Sequence, residues 1–179
     1  MRQQLSTSKL AAVLTAILLT IANFTVARIE NIADAQGMAL VGEARMKVLL
    51  WKIYDARLYA PNGTWSKEAP YALSLTYLMD LEGERIAERS VQEMRKQGMS
   101  DEVTLARWYE LLAEIIPNVR EQNEIVGLAN GKGATQFYLD GEEIGSIPEP
   151  AFTEAFFAIW LGEGSSEPEL RDQLLGAQR

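Results

Sequence analysis

Two residue types are missing altogether: the chain contains no cysteine and no histidine. The first absence excludes disulfides, a thiol nucleophile, a lipid anchor on Cys and thiolate metal sites. The second removes Ser-His-Asp and Cys-His catalysis and the usual zinc sites. Any proton transfer is left to Asp, Glu, Lys, Tyr or a bound water. Basic residues are also scarce, 17 against 25 acidic ones in 179 residues, for a net charge of −8. That balance argues against nucleic acid as a partner, because such binding rests on neutralising phosphates. Gly131-Lys132-Gly133 looks like a phosphate loop only superficially, lacks a strand-loop-helix setting and reads as a hairpin turn. No cofactor and no metal are expected. What is present is a hydrophobic fraction of 47%, enough for the core of one domain.

The chain starts with a basic stretch (Arg2, Lys9), an apolar run from Leu10 to Ala22 and small residues ending at Ala27. This is the layout of a secretory signal peptide, over residues 1–27 and cut after Ala27, or after Ala35 on the small-x-small rule. The run is short for a membrane span, which needs roughly 20 residues. The expectation is a periplasmic protein with no stable membrane span after cleavage. A short segment, 28–36, then leads into one domain over 37–179.

Within that domain, residues 36–61 read as two strands. Apolar side chains fall on both parities between Val48 and Tyr54, which implies cover on both faces. Tyr71 to Met79 alternates as a third strand. The period then becomes helical. Ile86, Ser90 and Met94 share a face with Ala87 and Val91 beside them, and Gly98 supplies a stop. Ser100 is the candidate N-cap of a second helix that ends before Pro117. Short strands follow at 124–129, 135–139 and 142–147, then an apolar helix over 151–161 and a last helix with Ser166 and Glu169 at capping-box spacing. Strands, helices, strands, helices in that order give an α+β class with a largely antiparallel sheet. Trp51, Tyr77, Trp108, Phe137 and Trp160 are expected in the core. Glu82, Glu84, Glu88 and Glu93, mixed with Arg85, Arg89, Arg95 and Lys96, read as a solvated helix face.

Three segments together carry a family resemblance. They are Gly42-Glu43-Ala44-Arg45 with Lys52 through Pro61; Leu75-Thr76-Tyr77 with Leu81 and Ile86 to Met94; and Phe137 to Gly141 with Ile144-Gly145, Phe152, Phe156 to Gly162 and Leu170 to Gly176. In this order and spacing the chain resembles the chalcone isomerase-like family, in its bacterial exported branch. The resemblance implies an open-faced β-sandwich, a large mostly antiparallel sheet packed against helices. It also implies one of two functions. The plant enzymes close a flavanone ring with an Arg, a Thr, a Tyr and an Asn, whereas their non-catalytic relatives hold a fatty acid through an Arg and a Tyr.

Matched residue by residue, the resemblance places Arg45 at the Arg, Tyr54 at the catalytic Thr, Ile86 at the Tyr and Glu93 at the Asn. Ile86 has no hydrogen to donate, and an ionised Glu93 repels a developing enolate. Arg45 and Tyr54 are the residue types that suit a carboxylate. The expected ligand site is therefore Arg45, Tyr54, Tyr77, Ile86 and Glu93, without catalytic residues, around a small apolar or fatty-acid-like molecule. Two alternatives stay open: an isomerase or intramolecular lyase using Tyr54, Tyr77 or Glu93 for proton transfer, and a module that docks on another envelope protein. No oligomeric state is read.

Overall fold

The computed structural model describes residues 28–176. The segment expected to be a signal peptide, residues 1–27, lies outside the described residues. Six strands run in sequence order across one antiparallel sheet: β1 (Met38–Val48), β2 (Trp51–Pro61), β3 (Tyr71–Tyr77), β4 (Glu124–Ala129), β5 (Thr135–Leu139) and β6 (Glu142–Ile147). A first helix, α1 (Arg28–Ala35), precedes the sheet. The pair α2 (Gly83–Lys96) and α3 (Glu102–Ile115) is inserted between β3 and β4, and α4 (Pro150–Leu161) and α5 (Pro168–Leu174) follow β6. This is the α+β class with an antiparallel sheet that the order of strands and helices in the sequence implies.

Strand alternation divides the sheet into two faces with different partners. On one face Ala56, Leu58, Leu73, Tyr77 and Phe137 are buried beneath the four later helices. On the other, Tyr59, Ala72, Val126 and Leu128 form a smaller cluster with Ile29 and Ala33 of α1. Residues 28–36 are thus more than a lead-in, because α1 packs on the sheet. Two glycines permit close approaches on the helical face. A Cβ on Gly83 would lie 2.1 Å from the Ile116 carbonyl oxygen, so only glycine lets α2 start against the end of α3. A Cβ on Gly127 would lie 3.3 Å from Phe157, the ring that α4 lays on β4.

Local chemistry fixes the ends of these elements, in two cases differently from the sequence expectation. Asp101, not Ser100, caps α3: its carboxylate accepts from the backbone N–H of Val103 (3.1 Å) and Thr104 (3.4 Å). A charged acceptor suits the positive end of a helix better than a hydroxyl. Ser166 does not cap α5, whose N-cap is Glu167, because its hydroxyl is engaged by Glu93.

The largest departure lies at the β1–β2 turn. Val48, Leu49, Leu50 and Trp51 are the tip of the hairpin: Leu49 is 91%, Leu50 96% and Trp51 69% exposed, while the half-exposed Val48 keeps one side against a cavity. The expected cover on both faces fails here, and Trp51 is not in the core, because the hairpin runs past the helices. Leu49 also holds φ 55°, a region that glycine or asparagine enters at less cost. For a leucine the penalty is on the order of 1–2 kcal/mol.

If α1 belongs to the cooperative unit, Ile29→Ala removes a fully buried side chain and lowers the unfolding free energy by about 2–4 kcal/mol. Urea denaturation measures this, and an unchanged midpoint places α1 outside that unit.

Candidate functional site

Between the helical face of the sheet and α2, α4 and α5 lies a cavity of about 420 Å³. The strands contribute Met46, Tyr54, Leu75, Tyr77 and Ile125 to its wall. The helix α2 contributes one strip, Arg85, Ile86, Arg89, Ser90 and Glu93, whose spacing repeats along one helix side. Phe156, Ile159 and Trp160 of α4 and Leu170 of α5 close the remaining side.

Four of the five residues expected from the sequence meet here: Tyr54, Tyr77, Ile86 and Glu93. Arg45 does not. Met46 faces the cavity opposite Tyr54, so its neighbour Arg45 faces the other way, opposite Asp55. There the guanidinium makes a bidentate pair with the Asp55 carboxylate, Nε to Oδ1 at 2.5 Å and Nη2 to Oδ2 at 2.7 Å. One step of strand parity removes it from the cavity.

The cations that do line the cavity are Arg85 and Arg89, which sequence reasoning left on a solvated face. Both are largely exposed and belong to its rim: Arg85 pairs with Glu82 at 2.8 Å and Arg89 with Glu93 at 2.6 Å. The signal that finds them is positional. Each lies one residue before an inward-facing position, Ile86 and Ser90, so both share the edge of the inward strip.

Glu93 is the most constrained group of the site. Its side chain is 5% exposed, and its Oε1 accepts from Lys96 (2.9 Å) and Arg89 while Oε2 accepts from the Ser166 hydroxyl (2.8 Å). Burial alone would push this carboxyl up. The hydrogen bonds from Lys96 and Ser166 and the charges of Arg89 and Lys96 outweigh burial and hold it below the ordinary range. It therefore stays ionised and ties α2 to the segment entering α5.

The two tyrosines differ from it. Burial pushes the Tyr54 phenol up to about 12, a rise that the hydrogen bond from Trp160 and the charge of Arg89 only partly counter. Trp160 Nε1–H donates to Tyr54 Oη at 3.0 Å, which leaves the Tyr54 hydroxyl hydrogen free to be given elsewhere. Tyr77, packed edge-on against Tyr54 at 6.1 Å, is pushed up further by burial. Burial keeps both phenols protonated at neutral pH, whereas Glu93 is ionised and held by three donors.

A family model described as chalcone isomerase-like matches residues 20–176. The chain belongs to the chalcone isomerase-like family. No curated protein matches it in sequence. Among solved structures, an Arabidopsis thaliana fatty-acid binding protein superposes with a TM-score of 0.60 at 13% identity, covering 78% of this chain and 87% of that one. At that identity the likeness speaks for the fold. In this chalcone isomerase-like chain the wall combines an apolar interior, two tyrosines and a rim with two guanidinium groups. Such a surface can hold an apolar body and orient one anionic end.

Glu93 also sets an acid limit. A carboxyl held below its ordinary value of 4.5 contributes stability that is complete above that value and drains away as the pH falls through the lower, folded one. Glu93→Gln should cost about 1–2 kcal/mol at neutral pH and flatten the stability profile below pH 4.5. Thermal melts across that range check both, and a variant as acid-sensitive as the parent would show that Glu93 is not the group responsible.

Proposed function

We propose that the chain is an exported, periplasmic, non-catalytic binding protein for an amphiphile with an acyl-like tail and an anionic head, a fatty acid or a similar molecule. The observation that carries this reading is the apolar cavity of about 420 Å³ with Arg85 and Arg89 at its rim. That volume falls within the usual range for small-molecule sites. The fold shared with a fatty-acid binding protein supports it.

In this reading the tail lies against Leu75, Ile86, Ile125 and Phe156, and the head reaches Arg89 and the Tyr54 hydroxyl. Arg89 spends one nitrogen on Glu93 and keeps further donors for a carboxylate. Arg45, paired to Asp55 on the opposite face, takes no part. Catalysis of ring closure has little to work with, since Ile86 cannot donate and Glu93 is an anion already engaged.

Isothermal titration with a series of saturated fatty acids tests the proposal. Affinity should rise by about 0.8 kcal/mol per added methylene until the cavity is filled. Arg89→Gln should weaken binding by about 1.5–3 kcal/mol and Tyr54→Phe by about 1 kcal/mol, while Arg45→Ala leaves it unchanged. No saturable binding, or equal losses for Arg45 and Arg89 variants, overturns it.

Export has its own check. Cleavage after Ala27 leaves α1 whole, whereas cleavage after Ala35 discards the buried Ile29 and Ala33. The intact mass of protein recovered from a periplasmic fraction should begin at Arg28. Recovery from the cytosol with residues 1–27 still attached would reject the export reading.

A further inference from the structure

The exposed large hydrophobic side chains among the described residues are Leu40, Val48, Leu49, Leu50, Trp51 and Val103, so most of them form one consecutive run at the β1–β2 tip. A hairpin turn is ordinarily polar, and glycine or asparagine would relieve the positive φ that Leu49 holds. Here two leucines occupy the turn, with a valine and a tryptophan paired directly behind them, Val48 against Trp51. The next pair down the stem is Lys47 against Lys52. Both lysines are exposed, and neither has an ion-pair partner among the described residues.

We propose that this tip, Val48-Leu49-Leu50-Trp51, inserts into the interface of a bilayer containing anionic phospholipid, with Lys47 and Lys52 against the phosphates. The side-chain order down the hairpin fits that occupant. Leucines lead, a tryptophan sits at the depth where its ring prefers the boundary, and ammonium groups follow on stems long enough to reach the headgroups. The chain carries a net charge of −8, but screening confines the field that matters to roughly 8–10 Å. Between residues 46 and 53 there are two lysines and no acidic residue. Charge complementarity at the tip thus favours an anionic surface. Val48 and Ile53 also line the cavity, so a docked tip brings the cavity to the membrane surface. The docking does not depend on what the cavity holds.

The absence of native cysteine permits a site-specific test in the full chain. An environment-sensitive fluorophore is attached to Leu50→Cys and, as a control, to Val103→Cys, an exposed position in the first turn of α3. Because the label reports only its own surroundings, the apolar run at residues 10–22 cannot mimic the result by tethering the chain. With phosphatidylglycerol-containing vesicles the label at position 50 should shift to the blue and be quenched by lipid-borne quenchers, while the label at 103 stays water-like. Lys47→Glu with Lys52→Glu should raise the lipid concentration needed for half the shift by about tenfold or more. A label at position 50 that remains water-like, or labels at 50 and 103 that respond alike, overturns the proposal. A blue shift that grows with protein concentration in the absence of vesicles also overturns it and assigns the tip to a second copy of the chain.

Discussion

Each strand must present alternate side chains to opposite sides of the sheet, and the two sides meet different partners. That geometric rule decides which polar groups share the cavity. Met46 and Tyr54 face each other across β1 and β2 beneath the helices. Arg45 and Asp55, one residue away on each strand, face each other on the far side. The bidentate pair with Asp55 holds the Arg45 guanidinium on that side. The cations that line the cavity come from the layer above, Arg85 and Arg89 of α2.

The helical layer is then held by interactions that leave the cavity open. Phe152, Phe156 and Phe157 of α4 cover β4 and β5, where Gly127 allows ring-to-backbone contact. The helix α2 leans on α3 through the close approach at Gly83 and reaches the segment before α5 through Glu93 and Ser166. A carboxylate in so buried a position is tolerated only when its oxygens are satisfied, and three donors from two segments satisfy them. The same contacts that keep Glu93 ionised therefore set the spacing between α2 and α5 at one end of the cavity.

Element order was largely readable from the sequence because hydrophobic period is a local property. The alternation in β3, the helical spacing around Ile86 to Met94 and the short strands at 135–139 and 142–147 all sit where the pattern indicates. The cavity's aromatic and acidic members, Tyr54, Tyr77 and Glu93, were within reach through family resemblance. Arg45 was misplaced because the register shifts between Met46 and Lys47: an unbroken two-residue hairpin would set Arg45 opposite Tyr54, and the shift sets it opposite Asp55 instead. Arg85 and Arg89 were hidden for another reason: a charge at the edge of an inward helix strip has the same local pattern as one facing solvent. Trp51 shows the limit of reading burial from residue type. Its neighbours are apolar, and only the three-dimensional length of the hairpin reveals that the helices stop short of it.

The cavity opens to solvent at a rim that carries Arg85 and Arg89, while its inner wall is mostly apolar. Water against such a wall finds few partners, and an apolar body that enters releases it. Occupation of the site therefore carries a negative heat-capacity change, the thermal mark of apolar surface leaving water.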